Sequence, residues 1–291
     1  MKISLVLATL GRDLEVADCL KSLLLQTYKD FEVIIIDQNR DGKIDAFVKL
    51  FMNSLDVQHV KVDFTGNARA RDYGIGLAQG RIIAFPDDDC AYEIDVLEKV
   101  VAEFERRKKL SILVAGSYDF SSSRFSIGVN SPKARYFSRF EMMGVEFTQF
   151  FNRNRIDGKQ FYLDHDFGIG SKYSGAEGFE LLYRLLRSGS TAFYTPEIKI
   201  YHPDKDHYKL GTGRMLMYST GIGAYIRKFA NQHDAFILYY IVRKMFVAPI
   251  LKMMLALVLL NPKKLVYSFY NLVGIWRGFM EYGRRHENEI S

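Results

Sequence analysis

Cysteine is scarce in this chain. Cys19 and Cys90 are the only two in 291 residues, with no disulfide-framework or metal-ligand spacing between them. That excludes a disulfide scaffold and fits a reducing compartment. Long apolar runs are also missing. A membrane-spanning helix needs about 20 apolar residues with few charges. Within 234–287, the most hydrophobic part, the longest uncharged runs are 253–262, ten residues, and 265–276, twelve. Arg243, Lys244 and Lys252 interrupt this part, Pro249 is expected to break it, and Lys263 and Lys264 end its first half. The opening "MKISLVLATLGRD" has no A-x-A-like cleavage site after its apolar run, so it reads as a first strand and not a signal peptide. There is no internal repeat and no low-complexity tract. Acid is sparse in one region. Arg227–Arg285 holds ten Lys/Arg and two acids, a local balance of +8. The whole chain is +6, so everything else sums to −2.

That asymmetry points to an anionic partner at the C-terminal end. The basic residues sit among Leu, Met and Tyr, with Trp276 nearby, which favours a membrane surface over a nucleic acid. Long apolar helices with scattered lysines suit the interface plane. The expectation is a monotopic, membrane-associated helical region at 211–291. An ordinary helical cap on the preceding domain, or a transmembrane hairpin with snorkelling lysines, are the alternatives. "GTGRMLMYSTGIGAYIRKFA" (211–230) is read as a link between the two parts, its glycines marking tight turns or close helix packing.

Hydrophobic residues make up 48% of the chain, enough for a sizeable core. "KISLVLA" (2–8) and "FEVIIID" (31–37) are continuous apolar runs, as in strands buried on both faces. Helical spacing follows at 13–27, 45–55, 67–80 and 93–109, with strands at 57–64, 81–85 and 111–116. Gly80 is read as the stop of the third helix. Residues 117–160 lack a clear period and are read as loops or edge strands. A helix at 175–189 and strands at 191–202 close the series. Strands alternating with helices predict an α/β fold, a mostly parallel sheet with helices on both faces. Ligands then bind at strand carboxyl ends. Asp37 and the triplet Asp87, Asp88, Asp89 both fall there.

Three adjacent carboxylates repel. One aspartate would suffice to cap a helix, and Glu93 or Asp95 is available for that. A hard divalent cation, Mg²⁺ or Mn²⁺, resolves the repulsion. In an extended segment residues i and i+2 point the same way, so Asp87 and Asp89 converge on one ligand.

Four stretches in order, "ISLVLATLGR", "CLKSLLLQTYKDFEVIIIDQN", "ARARDYGIGLAQGRIIAFPDDD" and "AEGFELLYRLLRSG", resemble a family 2 glycosyltransferase of the GT-A fold, of the bacterial surface-polysaccharide type. The resemblance runs through most of residues 1–230. It implies a GT-A catalytic domain at 1–210, with a nucleotide-binding half at 1–116 and an acceptor-binding half at 117–210. It implies a metal-dependent, inverting hexosyl transfer from a nucleotide-diphosphate sugar, a UDP-sugar first, to a lipid-linked saccharide or surface polysaccharide. The place of work would be the cytoplasmic face of the membrane.

Carried over residue by residue, Asp37 contacts the nucleobase, and Thr9 and Arg12 lie in the nucleotide turn. Arg71, in preference to Arg69, lies toward the diphosphate. Asp87 touches the ribose or metal, Asp89 holds the metal, and Asp88 caps or orients on the substrate side. His202 after the last strand approaches the metal. Each has a plainer reading: a strand-ending acid, a solvated helix face, a structural histidine. The acceptor-side motif departs from the family. Relatives have Glu-Asp, whereas this chain has Glu177-Gly178, so Glu177 is left as the base, with Glu180 one turn on. Gly178 is read as making room for a bulky acceptor. A sugar nucleotidyltransferase is the second reading, disfavoured by the single glycine in "TLGRDLE". A catalytically inactive membrane scaffold is the third, suggested by the missing second acid.

Overall fold

The structure is a computed structural model, and it describes residues 1–122, 124–203 and 211–290. The expected boundary at 210/211 borders 204–210, which lie outside the described residues. The chain divides into a sheet-containing unit, residues 1–164 and 178–204, and a helical unit, residues 165–177 and 205–291. Segment 165–177 therefore groups with the helices and not with the acceptor half.

In the sheet unit the order is β1 (Ile3–Thr9), α1 (Leu14–Leu24), β2 (Phe31–Asp37), α2 (Asp45–Phe51), β3 (Val57–Lys61), α3 (Asn67–Leu77), β4 (Ile82–Ala84), β5 (Ala91–Tyr92), α4 (Val96–Arg106) and β6 (Ile112–Tyr118). Then come β7 (Arg135–Phe137), β8 (Gln149–Asn152), α5 (Glu177–Arg187) and β9 (Ala192–Tyr201). The sheet runs β3-β2-β1-β4-β8-β6-β9-β5, with β7 on β9. β3, β2, β1 and β4 are parallel, as the βα alternation predicts. The remainder is mixed. β8 is antiparallel to both β4 and β6, and β5 and β7 are antiparallel to β9.

Alternation along β1 explains the two layers. Ile3, Leu5 and Leu7 join a core with Val16, Leu20 and Leu23 of α1, Val48 of α2 and Val100 and Phe104 of α4. Val6 points the other way, against Gly74 of α3. Two expectations change. α3 ends at Leu77, and Gly80 serves β1 instead: a Cβ there would lie 2.5 Å from the Ser4 backbone nitrogen. β8, in the stretch read as loops or edge strands, is central and fully buried. Four residues are too few to show a period.

The helical unit contains α6 (Gly211–Asn231), α7 (Ile237–Tyr240), a π-helical turn at Ile241–Val247, α8 (Ala248–Val258) and α9 (Pro262–Ile290). Residues 211–230 are therefore one continuous helix and not a link with turns. Pro249 does not break the region. The helix runs on from the π-helical turn into α8, and just before the proline Ala248 N reaches back five residues to the Arg243 carbonyl. α6 and α9 pack backbone against backbone. A Cβ at Gly223 would overlap the Ile275 carbonyl, and one at Gly278 the Thr220 carbonyl. Segment 165–177 joins them through Arg285 Nη1 to Asp166 Oδ2 at 2.6 Å and Tyr173 on Tyr282. Among the described residues no helix is long and apolar enough to cross a membrane.

Candidate active site

The carboxyl ends of β1, β2, β4 and β9 deliver the sheet unit's acids and cations to one edge. β1 ends at Thr9, and the turn beyond it passes through Gly11 at φ +77, a left-handed conformation that favours glycine. The Asn39 side chain links this turn to β2. Its Oδ1 accepts from Gly11 N at 2.7 Å, and its Nδ2 donates to Asp37 Oδ1 at 2.8 Å. Asp37 is fully buried, with its Oδ2 at 3.0 Å from His59 Nε2 of β3. Sequence reasoning missed Asn39 and His59. Asn39 was in plain view within "DQN", but His59 is brought in only by the register of β3 on β2.

The aspartate triplet leaves β4 in three directions. Asp87 Oδ1 accepts from Arg71 Nη2 at 2.6 Å. Asp88 Oδ2 accepts from Thr9 Oγ1 at 2.8 Å, and burial pushes its carboxyl up to about 6. Asp89 Oδ2 accepts from Arg12 Nη2 at 2.9 Å. His202 follows β9, with its Nε2 3.1 Å from Asp89 Oδ1 and 3.9 Å from Asp87 Oδ2. Its Nδ1 is 2.8 Å from the Pro203 carbonyl oxygen. A carbonyl has no proton to give, so Nδ1–H is the donor, and in the neutral ring Nε2 turns a lone pair toward the carboxylates. Phe147 stacks on the ring at 4.8 Å and 13°.

A lone pair facing two carboxylates is unfavourable until a cation or proton lies among them. One ligand atom from each of Asp87, Asp89 and His202 lies within 4.8 Å of the others. Two carboxylate oxygens and an imidazole nitrogen with the tautomer fixed by its other nitrogen fit a divalent metal such as Mn²⁺ or Mg²⁺. Asp37, Asp45 and His59 form a second such group, but Lys61 Nζ already pairs with Asp45 Oδ2 there.

Arg71 departs from its expected place. It is 1% exposed, and its Nη1 is 2.6 Å from Glu146 Oε1 while its Nη2 holds Asp87. A guanidinium committed on two sides is not presented to a diphosphate in this arrangement. Arg12 is the more accessible cation beside the acids. Gly178 makes no room for an acceptor, because the Glu146 side chain fills that space: a Cβ at 178 would lie 2.7 Å from Glu146 Cβ. Glu180 is held by Arg184 through Nε at 2.9 Å and Nη2 at 2.7 Å, so it is not a spare base. Glu177 belongs to the helical unit. It opens α5 after Ala176 at φ +67, is buried, and sets its carboxylate 3.1 Å from where a Gly168 Cβ would lie.

An open α/β sheet with such a donor set at its strand ends defines a protein that takes a ligand over the sheet's carboxyl edge. Residues 4–168 match the family described as "Glycosyl transferase family 2", and the chain belongs to that family. An uncharacterized glycosyltransferase of Haemophilus influenzae is 30% identical over 156 residues, 49% of this chain and 60% of that protein. Glycosyltransferase GlyA of Streptococcus pneumoniae is 26% identical over 129 residues, 42% of this chain and 18% of that one. The matched stretch thus spans less than two thirds of these relatives. Among solved structures, the mannosyltransferase PcManGT of Pyrobaculum calidifontis, in complex with GDP-Man and Mn²⁺, superposes with TM-score 0.65 at 13% identity, covering 96% of this chain and 87% of that one. Staphylococcus aureus TarS 1–349 with UDP-GlcNAc gives 0.60 at 13%, covering 95% and 92%. At that identity the likeness is one of fold.

Proposed function

We propose that this chain is a metal-dependent, inverting glycosyltransferase. It would move a hexosyl group from a nucleotide-diphosphate sugar to a lipid-linked saccharide or surface polysaccharide. The observation that carries the reading is the Asp87–Asp89–His202 group, with its imidazole tautomer set for a cation. Family membership supports the reaction class. Solved proteins of like fold are seen with UDP-GlcNAc, or with GDP-Man and Mn²⁺, which supports a nucleotide-sugar donor, with a UDP-sugar as first choice.

Asp87, Asp89 and His202 would hold the cation, which when bound neutralises charge on the leaving diphosphate. Asp37, buried with its oxygens on Asn39 and His59, would meet the nucleobase only by exchanging one of those partners for it, and the turn at Thr9 to Arg12 would wrap the nucleotide. Arg12 would exchange Asp89 for donor phosphate oxygens. Asp88, pinned by Thr9, would keep the triplet in register on the nucleotide side. Glu177 would take the acceptor hydroxyl's proton.

The helical unit would hold the enzyme on the cytoplasmic face of an anionic membrane. Val258 and Leu260 are 78% and 89% exposed. Leu251, Met254, Leu255 and Leu257 of α8 and Phe269 and Trp276 of α9 are exposed as well. Between Asp234 and Glu281 the sequence holds six Lys/Arg and no acid. An apolar face with only positive charge around it matches anionic headgroups over an acyl layer.

The test is Asp89→Asn assayed against a panel of UDP- and GDP-sugars with Mn²⁺ or Mg²⁺. Wild type should release nucleotide with one donor, and the variant should bind Mn²⁺ far more weakly and release nucleotide roughly 10³-fold more slowly. Full activity in the variant would sink the metal assignment.

A further inference from the structure

The empty Cβ position at Gly178 and the buried Glu146 are one feature. Glu146 opens a short 3₁₀ turn, Glu146–Thr148, ahead of β8. Its Cβ and Cγ would stand 2.7 and 3.0 Å from a Cβ at position 178. Any side chain at 178 would compete for the space that Glu146 occupies. The turn is held firmly: Thr148 Oγ1 donates to the Val145 carbonyl at 2.7 Å, and Gly144 is pressed against Val114 of β6.

The turn reaches the metal-type group at two points. Phe147 stacks on His202. Glu146 Oε1 lies 2.6 Å from Arg71 Nη1, and Arg71 Nη2 lies 2.6 Å from Asp87 Oδ1. Asp87, its side chain 32% exposed, stands at the edge of the site, and Arg71 and Glu146 are buried beneath it. There, an isolated buried guanidinium would bind Asp87 as a full counter-charge and would repel a cation next to it. Glu146 cancels that charge while leaving the guanidinium's hydrogen bond to orient Asp87.

We infer that Glu146 is a positioning residue: it takes the space left by Gly178 and neutralises Arg71, so that Asp87 keeps its charge for a divalent cation. This rests on the cation site proposed above. The roles differ in kind. Asp87 would touch the cation, whereas Glu146 acts only through Arg71.

The test measures Mn²⁺ affinity by electron paramagnetic resonance, on the full chain with no sugar donor. Glu146→Gln should bind Mn²⁺ roughly tenfold more weakly, as expected for one uncompensated charge about two side chains away. In an Arg71→Met background the same substitution should change Mn²⁺ affinity by less than about twofold, because the charge it balances is gone. Glu146→Ala combined with Gly178→Asp returns an acid to the shared space and should recover affinity relative to Glu146→Ala alone. Thermal melts identify a variant that fails to fold, and the rescue pair then decides. Unchanged affinity in Glu146→Gln, or an equal loss with and without Arg71, overturns the inference while leaving the cation site intact. Absence of Mn²⁺ binding by wild type would overturn both.

Discussion

The two units invert each other's habits. The sheet unit buries charge: Glu32, Asp37, Arg71, Asp89, Glu146, Glu180, Arg184 and His202 are all out of solvent. The helical unit exposes apolar side chains, from Leu238 to Met280, with Lys252, Lys263 and Lys264 exposed among them. Burying an ion is costly unless it is paired, so the first pattern persists only where partners are placed to within a hydrogen bond. Exposing leucine is costly in water and costs nothing against lipid. One unit keeps a polar interior, and the other keeps an apolar exterior, the face proposed above to meet a membrane.

The comparison breaks most sharply at Asp89. Asp89→Asn should lower sugar transfer by roughly 10³-fold, about 4 kcal/mol in the barrier, and leave liposome flotation unchanged. Loss of flotation in that variant would mean that the units are not independent in role. Next in size is Gly278→Leu. It forces a side chain into the Thr220 carbonyl and should destabilise the helical unit by roughly 3 kcal/mol. Calorimetry should show that transition falling while nucleotide binding at the sheet survives. A variant with Leu257, Val258 and Leu260 all changed to Ser should float with anionic vesicles at least about tenfold less, since each exposed side chain is worth on the order of 1 kcal/mol or more in an acyl layer. Full flotation would show that this tip is not in lipid. Lys263→Gln with Lys264→Gln should cost about 2 kcal/mol on phosphatidylserine vesicles and little on neutral ones.

The smallest effect concerns Lys244. Burial and its cationic neighbours Arg243 and Lys252 pull its ammonium down to about 8. The unfolded chain keeps that proton to about 10.5. The unfolded state therefore binds more protons between those values, and stability rises with pH across that window. Lys244→Met should raise stability at pH 7 by about 1 kcal/mol, discounted because the side chain is only half-buried. It should also flatten the rise between pH 8 and 10.5 in a denaturant titration.

The sequence carried the parallel half of the sheet because each βα step is local. A strand of six or seven apolar residues, then a helix at 3.6 spacing, can be read without knowing its neighbours. Strand ends also located Asp87 and Asp89, whereas His202 was drawn in by the family resemblance; the structure brings one ligand atom of each within 4.8 Å of the others. β8 and Glu146 were not legible. Their neighbours lie far away in sequence: Asn152 pairs with Ile82, and Glu146 with Arg71. The family resemblance placed Arg71 toward a diphosphate, and the sequence concealed its partner Glu146. The departure at Gly178 was visible from the start. What filled the space became visible only once residues 146 and 178 stood side by side.

The α6–α9 seam has one further consequence. Where two helices touch through carbonyls at Gly223 and Gly278, no rotamer is available to absorb a mutation. Outward positions of the same helices can exchange leucine for valine or methionine with little penalty. Over generations this pair should therefore drift freely on its outer face and stay frozen along its seam. A library of random variants selected only for folding would reveal that contrast without any knowledge of the reaction.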